Sequence, residues 1–128
     1  MNNQTNIVLD TNTLMNYLEG YSFETDLVGD KQIIISEITE MEVQCNPNMN
    51  SEERKRLKDF LTTVIIIPLT QTLKEIAIGI RLTTRMKLMD AIIGATAQQI
   101  KISLVTCDEK FDSLKTVNVI LLPAISKR

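Results

Sequence analysis

Short apolar runs recur along the chain, separated by longer stretches in which apolar residues have helical spacing. The first run, Ile7-Val8-Leu9, ends directly at Asp10 and does not alternate with polar residues. Strands in parallel sheets have this pattern because helices cover both of their faces. Five such runs predict five strands, at 7–9, 33–35, 64–67, 104–106 and 118–122. We therefore expect a single domain over residues 1–128, a three-layer α/β/α sandwich around a mostly parallel sheet.

The stretches between the runs predict the helices and the residues that begin and end them. A first helix carries Leu14 and Leu18 on one side and stops at Gly20. Asn50 and Glu53 have the spacing of a capping box at the start of another helix. Further helical segments are predicted at 36–45, 73–81 and 88–100, with a short piece between residues 21 and 31.

The helix after the second strand contains an acidic residue within its apolar stripe. Ser36 is the expected N-cap of this helix. Its inward face is predicted by Ile38, Met41 and Cys45, which recur at i, i+3 and i+7. Glu42 completes that stripe at i+4. It either lies at the edge of the stripe and reaches water along its methylene groups, or points to a cation or partner in a cleft.

Composition narrows the class of protein. The chain has 128 residues, of which 44% are hydrophobic and 23% are charged, as in globular proteins. The polar start is unlike a signal peptide, and the longest apolar run, Val64 to Ile67, is too short to span a membrane. Cys45 and Cys107 form no metal-like pair and no disulfide framework. We expect a cytoplasmic protein.

Charge and the absence of histidine restrict the chemistry. The net charge is −2 and the chain contains no histidine, which excludes His-based acid–base catalysis and every His-ligated metal site. The acidic balance gives no global attraction for nucleic acid, although a basic run lies at 54–58. That run is typical of a solvated helix surface, with an RNA-contacting patch as the alternative.

Four acidic residues are expected near one edge of the sheet. Asp10 and Asp108 follow the first and fourth strands, and ligands bind at the carboxyl ends of strands in open α/β sheets. Glu42 lies on the helix that leaves the second strand, and Asp90 opens the helix that leads to the fourth. Clustered carboxylates raise one another's pKa unless a cation separates them. Since all ligands would be oxygens, the pattern favours Mg²⁺ or Mn²⁺ over zinc, and phosphodiester chemistry.

Four segments together resemble the PIN domain family. They are Ile7 to Asn12, Ser36 to Val43, Leu88 to Ala97 and Leu104 to Phe111. Their order and spacing are similar to the small, single-domain bacterial branch that includes VapC-like toxins. The block around Asp90 is the most specific of the four, and the likeness covers nearly the whole chain.

The resemblance implies a Mg²⁺- or Mn²⁺-dependent ribonuclease that uses a metal-activated water and leaves a 5′-phosphate. Carried over by position, the family's acidic quartet is Asp10, Glu42, Asp90 and Asp108. The three aspartates would be the main metal ligands, directly or through water. Glu42 would help to hold the metal or orient the attacking water.

The resemblance also implies supporting residues and partners. Asn12 and Thr106 match polar positions that orient the ligands, and Asp112 is either an auxiliary acid or a solvated surface residue. Arg81 matches a basic position that would contact RNA phosphate. VapC-like relatives commonly form homodimers and are blocked by an antitoxin protein, so both partners are expected. Met89, where relatives often have proline, is a departure that does not touch the quartet.

Other classes of protein fit the residues less well. A haloacid-dehalogenase-like phosphatase needs a second acid two residues after Asp10, where this chain has Asn12. A response-regulator receiver needs an acidic pair near the first strand, and Asp10 has no acidic neighbour. A catalytically silent PIN-fold module, which binds nucleic acid or acts as a scaffold, is the serious alternative.

Overall fold

The five predicted strands form one parallel sheet in the computed structural model, which describes residues 5–20 and 27–123. The strands are β1 (Asn6–Leu9), β2 (Gln32–Ser36), β3 (Ile65–Ile67), β4 (Leu104–Thr106) and β5 (Val119–Leu121). Their order is β3-β2-β1-β4-β5, and every neighbouring pair is parallel. β1 is therefore central, and all the carboxyl ends lie at one edge.

Helices pack on both faces of this sheet. They are α1 (Thr11–Leu18), α2 (Glu37–Glu42), α3 (Ser51–Leu61), α4 (Gln71–Thr84) and α5 (Leu88–Ile100), with a 3₁₀ helix at Glu109–Ser113. Within the described ranges, no helix is long and apolar enough to cross a membrane.

The alternation of side chains along β1 divides the core into two layers. Val8 packs on one face, in a cluster that contains Ile93 of α5. Leu9 packs on the opposite face, in a cluster that contains Leu14 of α1 and Leu61 of α3. Successive residues of a strand point to opposite faces, so one short apolar run serves both layers. The predicted three-layer α/β sandwich is confirmed.

The expectation that both faces of every strand are covered holds only in the middle of the sheet. The residues of β4 are buried, as are all of β2 except its first. β3 and β5 are the outer strands, and Ile65 and Ile120 remain 45% and 39% exposed. An apolar run therefore predicts a strand more reliably than it predicts the coverage of that strand.

The predicted capping residues are confirmed by hydrogen bonds. The Ser36 hydroxyl accepts from the Ile38 amide at 3.1 Å. The Asn50 side chain accepts from the Glu53 amide at 2.8 Å, and the Glu53 carboxylate accepts from the Asn50 amide at 3.0 Å. Gly20 follows α1 with a φ of 81°, a left-handed conformation that glycine adopts without strain.

Two helix predictions are wrong, and one lies mainly outside the described residues. Met41 and Cys45 are exposed, not inward, because α2 ends at Glu42 and buries Ile38 with Thr39 instead. α4 does not end at Arg81 but continues to Thr84, where a left-handed Arg85 terminates it. The helical piece expected between 21 and 31 falls largely on residues 21–26, which lie outside the described ranges.

Candidate active site

Asp10 and Asp108 lie at the carboxyl ends of neighbouring strands. β1 and β4 pair in parallel with Leu9 opposite Val105, so the chain leaves both strands at the same edge. The buried Thr106 hydroxyl accepts a hydrogen bond from the Asp108 amide at 3.0 Å and also hydrogen-bonds the Asp10 carboxyl. One hydroxyl therefore contacts both the backbone of Asp108 and the carboxyl of Asp10.

Asp10 is a buried acid whose ionised form is unfavourable. Only 4% of the residue is exposed. Burial raises the pKa of Asp10 above its ordinary value of 3.8, hydrogen bonds from Thr13 and Thr106 lower it in part, and the charge of Asp108 raises it further. The net shift is upward. A cation at this edge of the sheet would relieve both the burial penalty and the repulsion from Asp108.

Thr13 is a supporting residue that the sequence pattern did not single out. It lies in the first turn of α1 and is fully buried, and its hydroxyl donates to Oδ1 of Asp10. The Thr13 hydroxyl oxygen accepts from the Cys107 amide at 3.0 Å. Thr13 therefore fixes the Asp10 carboxylate and also ties α1 to the segment after β4. No sequence signal distinguishes Thr13, because a hydroxyl three residues after an acid is ordinary in a helix.

Asp90 and Asp108 converge on one ammonium group. Lys110 Nζ lies 3.4 Å from Oδ2 of Asp90 and 3.3 Å from Oδ2 of Asp108. The Lys110 amide also donates to Oδ1 of Asp108 at 2.9 Å. The hydrogen bond to Asp108, followed by the charges of both aspartates, raises the pKa of Lys110. The structure thus places the acid that opens α5 beside the acid that follows β4.

The Glu42 side chain reaches Thr11, the first residue of α1, which follows Asp10 in the chain. The Thr11 hydroxyl donates to Oε1 of Glu42 at 2.5 Å. Thr39 Oγ1 lies 3.1 Å from Thr11 Oγ1. Because Thr11 has a single hydroxyl hydrogen, Thr39 must donate to Thr11. The half-buried Glu42 carboxylate therefore contacts the first of two linked threonine hydroxyls, Thr11 of α1 and Thr39 of α2.

Three further described residues from the sequence hypothesis make no polar contact with the four acids Asp10, Glu42, Asp90 and Asp108. Asn12, Arg81 and Asp112 are exposed. Among the described residues, none of their side chains forms a hydrogen bond or ion pair with the four acids. Their proposed roles therefore receive no support from a contact.

A separate apolar groove lies between α1 and α3. Its volume is about 310 Å³, and its lining includes Met15, Leu18, Leu57 and Phe60. None of the four acids lines this groove. The groove is therefore distinct from the edge of the sheet at which the four acids lie.

The family model of the PIN domain matches residues 7–117, which include all four acids and Lys110. The chain belongs to the PIN domain family. No match was found among curated protein sequences.

Solved structures with the same fold include a chain from a toxin–antitoxin complex. A chain of a toxin–antitoxin complex from Klebsiella pneumoniae is 31% identical, with 87% of this chain and 94% of that chain covered and a TM-score of 0.77. VapBC2 from Rickettsia felis, bound to a DNA fragment from its promoter, is 20% identical, with a TM-score of 0.74. The match covers 90% of this chain and 97% of that chain. FitAcB from Neisseria gonorrhoeae is 22% identical, also with a TM-score of 0.74. The match covers 89% of this chain and 96% of that chain.

The donor atoms of the four acids in this PIN domain are of the kind that a hard divalent cation prefers. All donors are carboxylate oxygens, and the Lys110 ammonium already acts as a monovalent cation between two of them. Within residues 5–20 and 27–123, no group of three or more Asp, Glu, Cys or His side chains is close enough to hold a metal ion. Metal binding by three aspartates would therefore require Lys110 to leave and the carboxylates to adjust.

Proposed function

We propose that this PIN domain is a Mg²⁺- or Mn²⁺-dependent ribonuclease, the toxin of a toxin–antitoxin pair. The observation that carries the proposal is the convergence of Asp90 and Asp108 on one cation, with the buried Asp10 hydrogen-bonded to the same threonine that fixes Asp108. Such a concentration of negative charge is unfavourable without a counter-cation.

Each residue of the cluster has a role in the proposed reaction. Asp10, Asp90 and Asp108 would hold the cation, which when bound lowers the pKa of water and offsets negative charge on the departing oxygen. Thr13 and Thr106 keep the Asp10 carboxylate in place, and Thr106 also accepts from the Asp108 amide. Glu42, oriented by Thr11, would accept a hydrogen bond from the attacking water.

The proposed partners are RNA and an antitoxin protein. The chain resembles structures from complexes that contain an antitoxin, and one of those structures is bound to promoter DNA. Arg81, exposed on α4, would contact RNA phosphate. Association into a homodimer and a cytoplasmic location stay predictions; light scattering on the purified chain measures the first directly.

One observation favours a second candidate function. Since no three acids of the described residues are close enough to hold a metal ion, a catalytically silent PIN module that binds nucleic acid remains consistent with the geometry. This alternative predicts RNA binding without cleavage at any metal concentration.

The test compares cleavage by the native chain with Asp10→Asn and Asp112→Asn, each with Mn²⁺ and with EDTA. Asp112→Asn makes the same chemical change at an exposed acid outside the cluster. We expect Asp10→Asn to reduce the metal-dependent rate by more than about 100-fold, and Asp112→Asn to retain it. Equal activity of the two variants would contradict the assignment of the site, and RNA binding without cleavage would favour the silent module.

A further inference from the structure

Among the described residues, Lys110 is the cationic side chain that forms ion pairs with Asp90 and Asp108. Its backbone is fixed by its neighbours. It lies in the 3₁₀ helix at Glu109–Ser113, which Asp108 caps by accepting the Lys110 amide hydrogen at 2.9 Å. The next residue, Phe111, is fully buried and anchors this turn in the core. The stem of Lys110 therefore starts from a fixed point beside the carboxylates.

The side chain of Lys110 is much freer than its backbone. Its side chain is 56% exposed, whereas those of Asp90 and Asp108 are each 22% exposed. Both ammonium–carboxylate distances, 3.3 and 3.4 Å, are longer than the 2.7–2.9 Å of a strong charge-assisted hydrogen bond. The ammonium is thus held by charge more than by tight bonding, and its stem can turn into solvent.

Lys110 and a divalent cation would bind the same two carboxylates. The ammonium lies against Oδ2 of Asp90 and Oδ2 of Asp108, the two acids that the proposed function assigns as ligands. Two cations cannot share this position because they repel each other at short range. Binding of one therefore requires displacement of the other.

We propose that Lys110 is an intramolecular counter-cation that neutralises Asp90 and Asp108 in the protein without metal and is exchanged for the divalent ion when it binds. Lys110 then weakens the apparent metal affinity, since each binding event must first break its two ion pairs. The inference rests on the proposed function for the identity of the metal ligands. It adds a residue that sets how much metal the site needs.

The test is a calorimetric titration of the RNA-free protein with Mn²⁺ at low ionic strength, where exposed ion pairs are screened least. The variants are Lys110→Met, which removes the charge and keeps an unbranched side chain of similar size, and Lys110→Arg, which keeps the charge. Lys115→Met is the matched control, because Lys115 is exposed and forms no ion pair with a described residue. Circular dichroism establishes that each variant is folded.

We expect Lys110→Met to bind Mn²⁺ about three- to tenfold more tightly than the native chain, the effect of removing two weak ion pairs. Lys110→Arg and Lys115→Met should stay within about twofold of the native affinity. If the native chain binds Mn²⁺ and Lys110→Met binds it equally or more weakly, the counter-cation inference is overturned while the metal site stands. If no variant binds Mn²⁺, the metal site of the proposed function fails as well.

Discussion

Asp10 links the energetics of the fold to the chemistry of the site. Its pKa is raised by burial, so between the ordinary value of 3.8 and the raised value the folded chain binds a proton that the unfolded chain has released. Under these conditions the stability of the native state falls as pH rises, and the loss is complete above the raised pKa. This behaviour is the reverse of an aspartate stabilised by a salt bridge.

The pH dependence of stability should therefore differ between the native chain and Asp10→Asn. In EDTA, we expect the variant to unfold at a higher temperature than the native chain at pH 7, with the difference shrinking as pH falls toward 4. Asp112→Asn, which removes an exposed acid, should follow the native profile. Thermal unfolding by circular dichroism across this pH range measures the effect; parallel profiles for native and Asp10→Asn would show that Asp10 is not penalised by burial.

Thr13 should matter for stability as well as for position. Thr13→Val removes the donor to the buried Asp10 carboxyl and the acceptor of the half-buried Cys107 amide, and leaves both groups without that partner. We expect the free energy of unfolding to fall by about 1–3 kcal/mol. Thr72→Val, at an exposed threonine of α4, should change it by no more than about 0.5 kcal/mol. Urea denaturation measures both; equal effects would mean that the Thr13 hydroxyl contributes nothing specific.

Sequence reasoning found the acids more readily than the groups that support them. Asp10 and Asp108 follow apolar runs, so the topology of a parallel sheet places them at one edge. Thr13 and Lys110 carry no such signal, because a hydroxyl three residues along a helix and a lysine two residues past an acid are ordinary on a protein surface. Their contacts depend on where the side chains meet in three dimensions.

At the scale of elements, close packing of α5 depends on a glycine. A Cβ added to Gly94 would lie 2.7 Å from Cδ1 of Leu114, a buried side chain. At Gly79 on α4, no atom beyond the adjacent residues and the backbone of the same helix lies within 4 Å of the equivalent position. The two helices thus offer a matched pair of glycines that differ in the space around them.

Alanine at these two glycines should have different effects. Gly79→Ala should raise the free energy of unfolding by about 0.5–1 kcal/mol, because glycine is unfavourable inside a helix. Gly94→Ala gains the same propensity but forces Leu114 to shift, so we expect it to be at least about 1 kcal/mol less stable than Gly79→Ala. Urea denaturation of the two variants measures the difference, and equal stabilisation would show that α5 does not need a small residue there.

Element boundaries were less predictable than element types. The α2 segment has helical spacing from Ile38 to Cys45, yet the helix ends at Glu42, so only its first turn contributes to the core. α4 continues past Arg81 because neither glycine nor proline ends it there, and a left-handed Arg85 does so instead. Helical spacing of apolar residues predicts a buried face only over the residues that are in the helix.

For the whole molecule, the class and layering of the fold followed from the five apolar runs. A short run without alternation needs cover on both faces, and helical segments between runs supply it. The exposed outer strands could not be foreseen, since an apolar run has the same sequence pattern at the centre and at the edge of a sheet. The groove between α1 and α3 was equally hidden, because its lining residues come from segments far apart in the chain.

The measurement that tests the central claim most directly is the chemistry of the RNA ends produced by the native chain, with Mn²⁺ and with EDTA. The account predicts cleavage only with the metal, and products that carry a 5′-phosphate, because water attacks the phosphorus and the 3′ oxygen departs. Cleavage that persists in EDTA, or products that end in a 2′,3′-cyclic phosphate, would contradict it. Cleavage in EDTA would show that the carboxylates at the carboxyl ends of β1 and β4 do not act through a bound cation. A cyclic phosphate would show that the 2′ hydroxyl, and not water, attacks the phosphorus.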